Sequence, residues 1–228
     1  MISTIIFTLL LCALFIKLYD NYEYLIDNTE TYILDDKNYK VLPMNNKEKA
    51  AELLKFVDDN ILVLKDHINT KYTDIELEML EKNKKEVMKK IKKRLNETYK
   101  SSSLKENYPS KPKVDVSYNL NKGESIALCL REYKNTDEFH EKNDIIFVAL
   151  HELSHSLNCD ENAFNCGNSY GHDNAFWYIF KILLSEAIEI GIYKKINYNN
   201  NPIDYCSMKI TYSPLYDPSL YDNNYFKY

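Results

Sequence analysis

The chain has 228 residues, with 29 Lys and Arg against 34 Asp and Glu, and the formal charge of −5 argues against a uniformly basic protein. Hydrophobic residues at 45% and aromatic residues at 13% can supply a core, which excludes wholesale disorder. Four glycines and six prolines exclude collagen-like and Gly/Pro-rich repeats, and five sparsely spaced cysteines argue against a disulfide scaffold.

The N-terminal segment is strongly apolar. Residues 2–16 carry no charge, and as a helix such a run spans roughly 22 Å, somewhat less than the roughly 30 Å of a bilayer core. Lys17 can snorkel to the interface, and a signal peptide normally has basic residues before its apolar run. We therefore interpret residues 1–19 as an uncleaved, single-pass membrane anchor, with a cleaved signal peptide as the alternative and the sidedness left open.

Beyond the anchor, the polar and irregular residues 20–46 are interpreted as a spacer, residues 47–212 as a folded domain and residues 213–228 as a mobile Tyr-rich tail. The domain begins with apolar residues at helical spacing, which predicts an amphipathic helix: Ala50, Leu53, Leu54, Val57, Ile61, Leu64 and Ile68. Thr73 and Glu76 form a capping box that starts another helix, predicted to run to about Leu95.

The second helix carries a basic stretch. Residues 82–94 contain eight basic residues and one Glu, opposite an apolar stripe of Val87, Ile91 and Leu95. A solvated helix face explains this pattern best. Attraction to an anionic membrane surface is the alternative, and nucleic acid is an unlikely partner because no aromatic residues are interleaved for base stacking.

A β-hairpin is predicted after this helix. Residues 114–120 and 125–130 read as strands on either side of Asn121-Lys122-Gly123, where Gly123 can adopt a positive φ. The predicted fold class is therefore α+β, mostly helical with a small β-sheet.

The motif His-Glu-x-x-His lies on an apolar helical segment, residues 143–157. His151 and His155 are one helical turn apart on the same face, so both imidazoles can bind one Zn²⁺ ion. Glu152 is rotated by about 100° from His151, within reach of a metal-bound water but not of the metal. Zinc lowers the pKa of such a water, and the carboxylate can take its proton during attack on a carbonyl. Two ordinary core histidines remain the alternative interpretation.

A catalytic zinc site needs a third protein ligand and one open position. His172 is the leading candidate because it follows Gly171 at the start of the next predicted helix and can fold back over the first two ligands. Glu186, on that helix, is the main substitute; otherwise it is a buried carboxylate that holds a ligand histidine. Asp173 is interpreted as a helix-start residue rather than a ligand.

Other reactive side chains have more open assignments. Cys159 and Cys166 can form a disulfide, remain free thiols or act as alternative metal ligands. His67 and His140 lack partners at ligand spacing and are expected at the surface or in the core. Tyr205, Tyr170 and His140 are unranked candidates for stabilising an oxyanion.

Two motifs, HELSH at residues 151–155 and GHD with a nearby FW at residues 171–177, resemble those of the WLM and SprT-like metallopeptidases. The similarity is stronger to uncharacterised metallopeptidase-like proteins of large DNA viruses, through residues 121–131, 171–193 and 202–214. The resemblance implies a zincin-like domain with zinc ligands His151, His155 and His172 and the catalytic base Glu152.

The sequence therefore predicts a membrane-anchored zinc metallopeptidase that hydrolyses peptide bonds in a protein or peptide substrate. A membrane-anchored, non-catalytic zinc-binding structural protein is the alternative. The substrate and the oligomeric state are left open.

Overall fold

The structure is a computed structural model that describes residues 28–109, 116–120, 123–159 and 171–221. The predicted anchor at residues 1–19 lies outside these ranges. Within them, every helix is too short or too polar to cross a bilayer.

One five-stranded mixed sheet forms the central layer, with the strand order β1-β2-β3-β5-β4. Its strands are β1 (Glu30–Leu34), β2 (Lys37–Val41), β3 (Leu104–Asn107), β4 (Tyr118–Leu120) and β5 (Ser125–Cys129). Strands β2, β3 and β5 are parallel, and the two edge strands β1 and β4 are antiparallel to their neighbours. A separate hairpin pairs β6 (Ile203–Tyr205) with β7 (Met208–Ile210).

Five α-helices in the described residues pack around this sheet. They are α1 (Lys47–Lys71), α2 (Asp74–Met79), α3 (Lys82–Thr98), α4 (Lys142–Asn158) and α5 (Asn174–Glu189). Helix α1 lies against β1, β2 and β3, whereas α4 lies against β4 and β5 and packs along α5. The α+β class predicted from the sequence is thus confirmed.

Helix α1 buries the stripe predicted from its helical spacing. All seven predicted apolar residues, from Ala50 to Ile68, are at most 2% exposed. The predicted capping box is also confirmed, because the Thr73 side chain accepts a hydrogen bond from the Glu76 N–H. The predicted helix to Leu95 is wrong in one respect: it divides into α2 and α3, because Leu80 adopts an extended backbone conformation.

The spacer assigned to residues 20–46 needs correction. Residues 30–41 form the β1–β2 hairpin, and its second strand joins the main sheet through β3. Asp35 and Asp36 make the turn with φ values of 51° and 60°, a conformation that Asp tolerates. Only Tyr39 and Val41 are fully buried in these strands, so the alternation is too short to be recognised as a strand pattern.

The prediction of a mobile tail at residues 213–228 also needs correction over its first part, residues 213–221. Residues 214–216 and 218–221 form short 3₁₀ helices that contact α5. Leu215 and Leu220 are buried there, and the Lys181 ammonium of α5 donates a hydrogen bond to the Asp217 carbonyl. Two leucines spaced among polar residues give no periodic signal, which is why the sequence pattern missed this packing.

The predicted hairpin around Gly123 is confirmed as the antiparallel β4–β5 pair. Gly123 has a φ of +103°, and its N–H donates to the Leu120 carbonyl at 3.2 Å. A Cβ atom at this position would lie 2.9 Å from the Ser156 hydroxyl oxygen of α4. The turn therefore needs glycine both for its backbone conformation and for its close approach to α4.

Candidate metal centre

Helix α4 is fixed in the core by its apolar residues, since Ile145 to Leu150 are all buried. This packing turns the two motif histidines toward α5. His151 and His155 are each partly buried, and their ring centroids are 5.2 Å apart. The predicted pairing of the two imidazoles on one helix face is therefore present in the structure.

His172 approaches the same point from the start of α5. The next residue, Asp173, is the N-cap, and its carboxylate accepts hydrogen bonds from the Phe176 N–H at 2.7 Å and from the Asn158 side chain at 3.1 Å. Because Asn158 ends α4, these bonds tie the end of one helix to the start of the other. The His172 Nε2 atom consequently lies 3.0 Å from the His151 Nε2 atom.

The three imidazoles fit a tetrahedral metal. One nitrogen from each of His151, His155 and His172 falls within 4.8 Å of the others. Zn–N bonds of about 2.0–2.1 Å in a tetrahedron place two ligand nitrogens about 3.3 Å apart, close to the 3.0 Å between the Nε2 atoms of His151 and His172. His172 is exposed whereas the other two rings are partly buried, so solvent reaches the site from the side of His172.

Aromatic side chains of α5 pack against the imidazoles. The buried ring of Phe176 contacts all three, with centroid distances of 4.9 Å to His151, 4.3 Å to His155 and 4.7 Å to His172. Trp177 contacts His172 at 5.1 Å. Burial, reinforced by the neighbouring imidazoles, lowers the pKa of His151 well below its usual value. The neutral ring is the form that binds a metal.

Glu152 is buried on α4, with 6% of its surface exposed. Its backbone carbonyl accepts a hydrogen bond at 2.7 Å from the side-chain amide of Asn119, which also bonds the Ser156 hydroxyl. Asn119 belongs to the edge strand β4, so this strand is fastened to the helix that carries the motif. The sequence pattern did not reveal this role of Asn119, because it depends on the pairing of two distant segments.

Glu186 lies in a different cluster from the three histidines and so is not positioned to replace His172 as a ligand. Its carboxylate accepts hydrogen bonds from His67 at 2.9 Å, Lys71 at 2.8 Å and the Tyr72 hydroxyl at 2.6 Å. These donors lie at the end of α1, and the bonds join that helix to α5. Glu186 therefore holds His67 rather than one of the three converging histidines, and His67 is a partly buried structural residue.

Two of the oxyanion candidates are committed to the core. The hydroxyl of Tyr205 is buried and donates to the Cys129 carbonyl at 2.6 Å, and its ring stacks on His140 at 4.2 Å. His140 accepts from the Cys206 N–H at 2.9 Å, and Cys206 is disulfide-bonded to Cys129. The spacing of Cys129 and Cys206 in the sequence did not predict this disulfide. The third candidate, at position 170, lies outside the described residues.

Cys159 is also disulfide-bonded, and Cys166 lies outside the described residues.

The basic stretch of α3 is partly used inside the domain. Lys90 donates to the Asn158 carbonyl at 2.9 Å, and the buried Arg94 donates to the Ser156 carbonyl at 3.2 Å. These carbonyls end α4, so the two cations stabilise its C-terminal end and partial negative charge. Lys92 donates to the Tyr72 carbonyl at 2.8 Å. These contacts explain part of the basic stretch without a membrane or nucleic-acid partner.

The fold and the three converging histidines define an α+β protein with a candidate metal centre between two helices. A family model described as the WLM domain matches residues 56–202. The chain therefore belongs to the WLM domain family, as its motifs predicted.

Similar proteins come from viruses, as the sequence also indicated. An uncharacterized protein of Acanthamoeba polyphaga mimivirus is 33% identical over 177 residues, covering 78% of this chain and 79% of that protein. An uncharacterized protein of Invertebrate iridescent virus 6 is 40% identical over 78 residues, which are 34% of this chain and 38% of that protein. Among solved structures, Wss1 from Saccharomyces cerevisiae has a TM-score of 0.38 and 20% identity, covering 66% of this chain and 87% of that one.

Proposed function

We propose that this protein is a zinc-dependent metallopeptidase, with His151, His155 and His172 as the metal ligands and Glu152 as the catalytic base. The convergence of three imidazoles, two of them on the helix that also carries Glu152, is the observation that carries the proposal. Membership of the WLM domain family supports it, as does the resemblance of the HELSH and GHD motifs to those of the WLM and SprT-like metallopeptidases.

When bound, zinc supplies a Lewis acid that acidifies water and polarises a peptide carbonyl. The three imidazoles would hold the metal, and burial lowers the pKa of His151, which keeps that ring in the neutral form that binds a metal. Glu152 takes a proton from the attacking water and passes it to the leaving amine. The carboxylate is suited to this role because its own helix fixes it one residue after the first ligand.

The edge strand β4 is suited to aligning an extended substrate. It pairs with β5 on one side and is the last strand of the sheet among the described residues, so a peptide can add to its other side as a further strand. Asn119 fastens β4 to the backbone of Glu152. A peptide added to this edge is thereby held in a fixed position relative to the catalytic base.

A non-catalytic zinc-binding structural protein is the competing function. Structural zinc sites are closed by four protein ligands, whereas this candidate group in the described residues has three, one of them exposed. Three protein ligands leave one coordination position for water and substrate. This composition favours catalysis.

The deciding experiment compares the purified full-length chain with its Glu152→Gln variant. We expect equal zinc content in both proteins, and a loss of casein cleavage of at least about 100-fold in the variant, as for the removal of a general base. The His151→Ala/His155→Ala variant serves as the control and should lose one zinc ion per chain. Equal cleavage by the wild type and Glu152→Gln would refute the assigned base, and equal zinc content in all three proteins would refute the ligands.

We also propose that the uncharged run at residues 2–16 tethers the protein to a membrane. The full-length chain should then remain in the membrane pellet after alkaline carbonate extraction. Leu10→Arg should release it, because Arg at the centre of a span costs about 2.5–3.5 kcal/mol. Release of the wild type by carbonate would contradict the anchor, and a shortened N-terminus in the mature protein would identify a cleaved signal peptide instead.

A further inference from the structure

A second group of potential metal ligands lies in the core, separate from the three histidines described above. It consists of Cys129 at the end of β5, His140 in the segment before α4, and Cys206 in the β6–β7 turn. All three are buried, and their sulfur and nitrogen atoms lie within 4.8 Å of one another. The two cysteines are joined as a disulfide in this structure.

The imidazole of His140 is oriented as in a metal ligand. Its Nδ1 atom lies 3.1 Å from the Glu132 carboxylate, which accepts the Nδ1 proton. The Nε2 lone pair therefore points the other way, toward the Cys206 N–H at 2.9 Å and the Cys206 sulfur at 3.3 Å. A carboxylate that fixes the tautomer from behind is the usual outer partner of a metal-binding histidine.

Further contacts hold this group in place. The ring of Tyr205 stacks on His140, and its hydroxyl bonds the Cys129 carbonyl. Cys206 has a φ of +53°, a left-handed conformation that is unfavourable for a residue with a side chain, yet it directs the sulfur to the other two ligands. In the disulfide form the same Nε2 atom accepts the Cys206 N–H, and a metal bound at Nε2 would replace this hydrogen bond.

We propose that the disulfide is the oxidised form of a second metal site, in which the Cys129 and Cys206 thiolates and His140 Nε2 bind Zn²⁺. A dithiol reductant supplies two electrons and two protons, which break the S–S bond and leave two thiols while the reductant becomes a disulfide. Zinc binding then displaces the two thiol protons. Oxidation by a disulfide of the same class reverses these steps and releases the ion.

The donor set and the spacing fit zinc. Two thiolates and one imidazole are ligands that zinc prefers, and the two negative charges neutralise the ion in a buried position. Zn–S bonds of about 2.3 Å place tetrahedral sulfurs about 3.8 Å apart, which side chains on Cα atoms 6.5 Å apart can span. The Arg131 carbonyl oxygen lies 3.4 Å from each sulfur and is available as a fourth donor.

The test uses the full-length His151→Ala/His155→Ala variant, in which the first site is disabled, with Co²⁺ as the probe. After reduction with a dithiol and removal of the reductant, Co²⁺ should produce thiolate-to-cobalt charge-transfer absorption in the near ultraviolet. The absorption should disappear when the same sample is oxidised, and Zn²⁺ should displace the cobalt. Absence of the absorption from the reduced protein overturns the proposal, and this comparison does not depend on the folding of any cysteine variant.

Two further variants in the same background assign the sulfurs. The Cys129→Ser/Cys206→Ser variant should lack the absorption, whereas its circular dichroism spectrum should match that of the parent protein. The matched control, Cys159→Ser/Cys166→Ser, should retain it. Absorption that survives the first pair, or that is lost only in the control pair, assigns the thiolates elsewhere and overturns the proposal. None of these measurements depends on peptidase activity, so they stand apart from the proposed function.

Discussion

Replacement of Gly123 by alanine tests how closely the β4–β5 turn approaches the helix that carries the metal motif. Gly123 has a φ of +103°, and an added Cβ atom would meet the Ser156 hydroxyl oxygen at 2.9 Å. The substitution therefore combines an unfavourable backbone conformation with a steric overlap. Gly191 offers the matched control, because its φ is +77° and an added Cβ atom would have no neighbour within 4 Å.

The two substitutions should differ by the steric contribution. A left-handed conformation costs a residue with a Cβ about 1–2 kcal/mol, of which about 0.4–1 kcal/mol is offset by the lower entropy of the unfolded chain. Gly191→Ala should therefore lower the free energy of unfolding by about 1 kcal/mol. Overpacking adds about 1–3 kcal/mol, so Gly123→Ala should lower it by about 2–4 kcal/mol.

Urea unfolding followed by circular dichroism measures both changes. In the Gly123→Ala background, Ser156→Ala removes the overlapping oxygen and should recover about 1 kcal/mol or more, although it also removes an acceptor of Asn119. Equal losses for Gly123→Ala and Gly191→Ala, with no coupling to Ser156, would show that the turn does not press against α4. The fixed position of β4 beside Glu152 would then need another explanation.

Three further substitutions test other contacts by unfolding experiments. Burial raises the pKa of Glu186, but the hydrogen bonds it accepts outweigh this effect, so the pKa is lower in the folded protein. The charged carboxylate therefore stabilises the fold above its unfolded-state pKa, and this contribution is lost as the pH falls through the lower folded value. Glu186→Gln should lower the free energy of unfolding by about 2 kcal/mol at pH 7 and weaken the dependence of the melting temperature on pH in acid. Glu106→Gln should cost about 3–5 kcal/mol, because it leaves the buried Arg131 guanidinium, now 2.6 Å from the carboxylate, without a counter-charge; a loss below 1 kcal/mol would contradict this. Arg94→Ala should lower the free energy of unfolding by about 1–2 kcal/mol, because it removes the hydrogen bond to the end of α4. The control Lys84→Ala changes an exposed residue of the same helix and should cost at most about 0.5 kcal/mol. Equal losses for the two variants would show that the bond to α4 contributes nothing to stability.

The elements that the sequence predicted are those whose signals are local. The stripe of α1 repeats from Ala50 to Ile68, and the Thr73 cap and the Gly123 turn each depend on a few neighbouring residues. The His151–His155 pair is likewise fixed by the geometry of one helix. His172 could be predicted as the third ligand because it lies between a glycine and the start of a helix. This local signal indicated its contact with His151, which is more distant in the sequence.

The elements that the sequence missed depend on pairing between distant segments. The β1–β2 hairpin has few buried residues of its own and is completed by β3, about sixty positions later in the chain. The disulfide joins positions 77 residues apart, and nothing around Cys129 distinguishes it from an ordinary strand residue. Glu186 was plausible as a ligand by its spacing alone, because only the packing of α1 against α5 shows which histidine it holds.

The hydrogen bond between Asn158 and Asp173 joins the end of α4 to the start of α5. The position of His172 is therefore fixed by these two helix ends and not by the segment that connects them. The connecting segment can therefore change in length without displacing His172. Loop closure penalises such insertions weakly, at about 0.6 kcal/mol for each doubling of length. Related chains are accordingly free to carry insertions or deletions of several residues between the second and third histidines, and an alignment anchored on the two helix ends should find the third histidine where one based on fixed spacing would miss it.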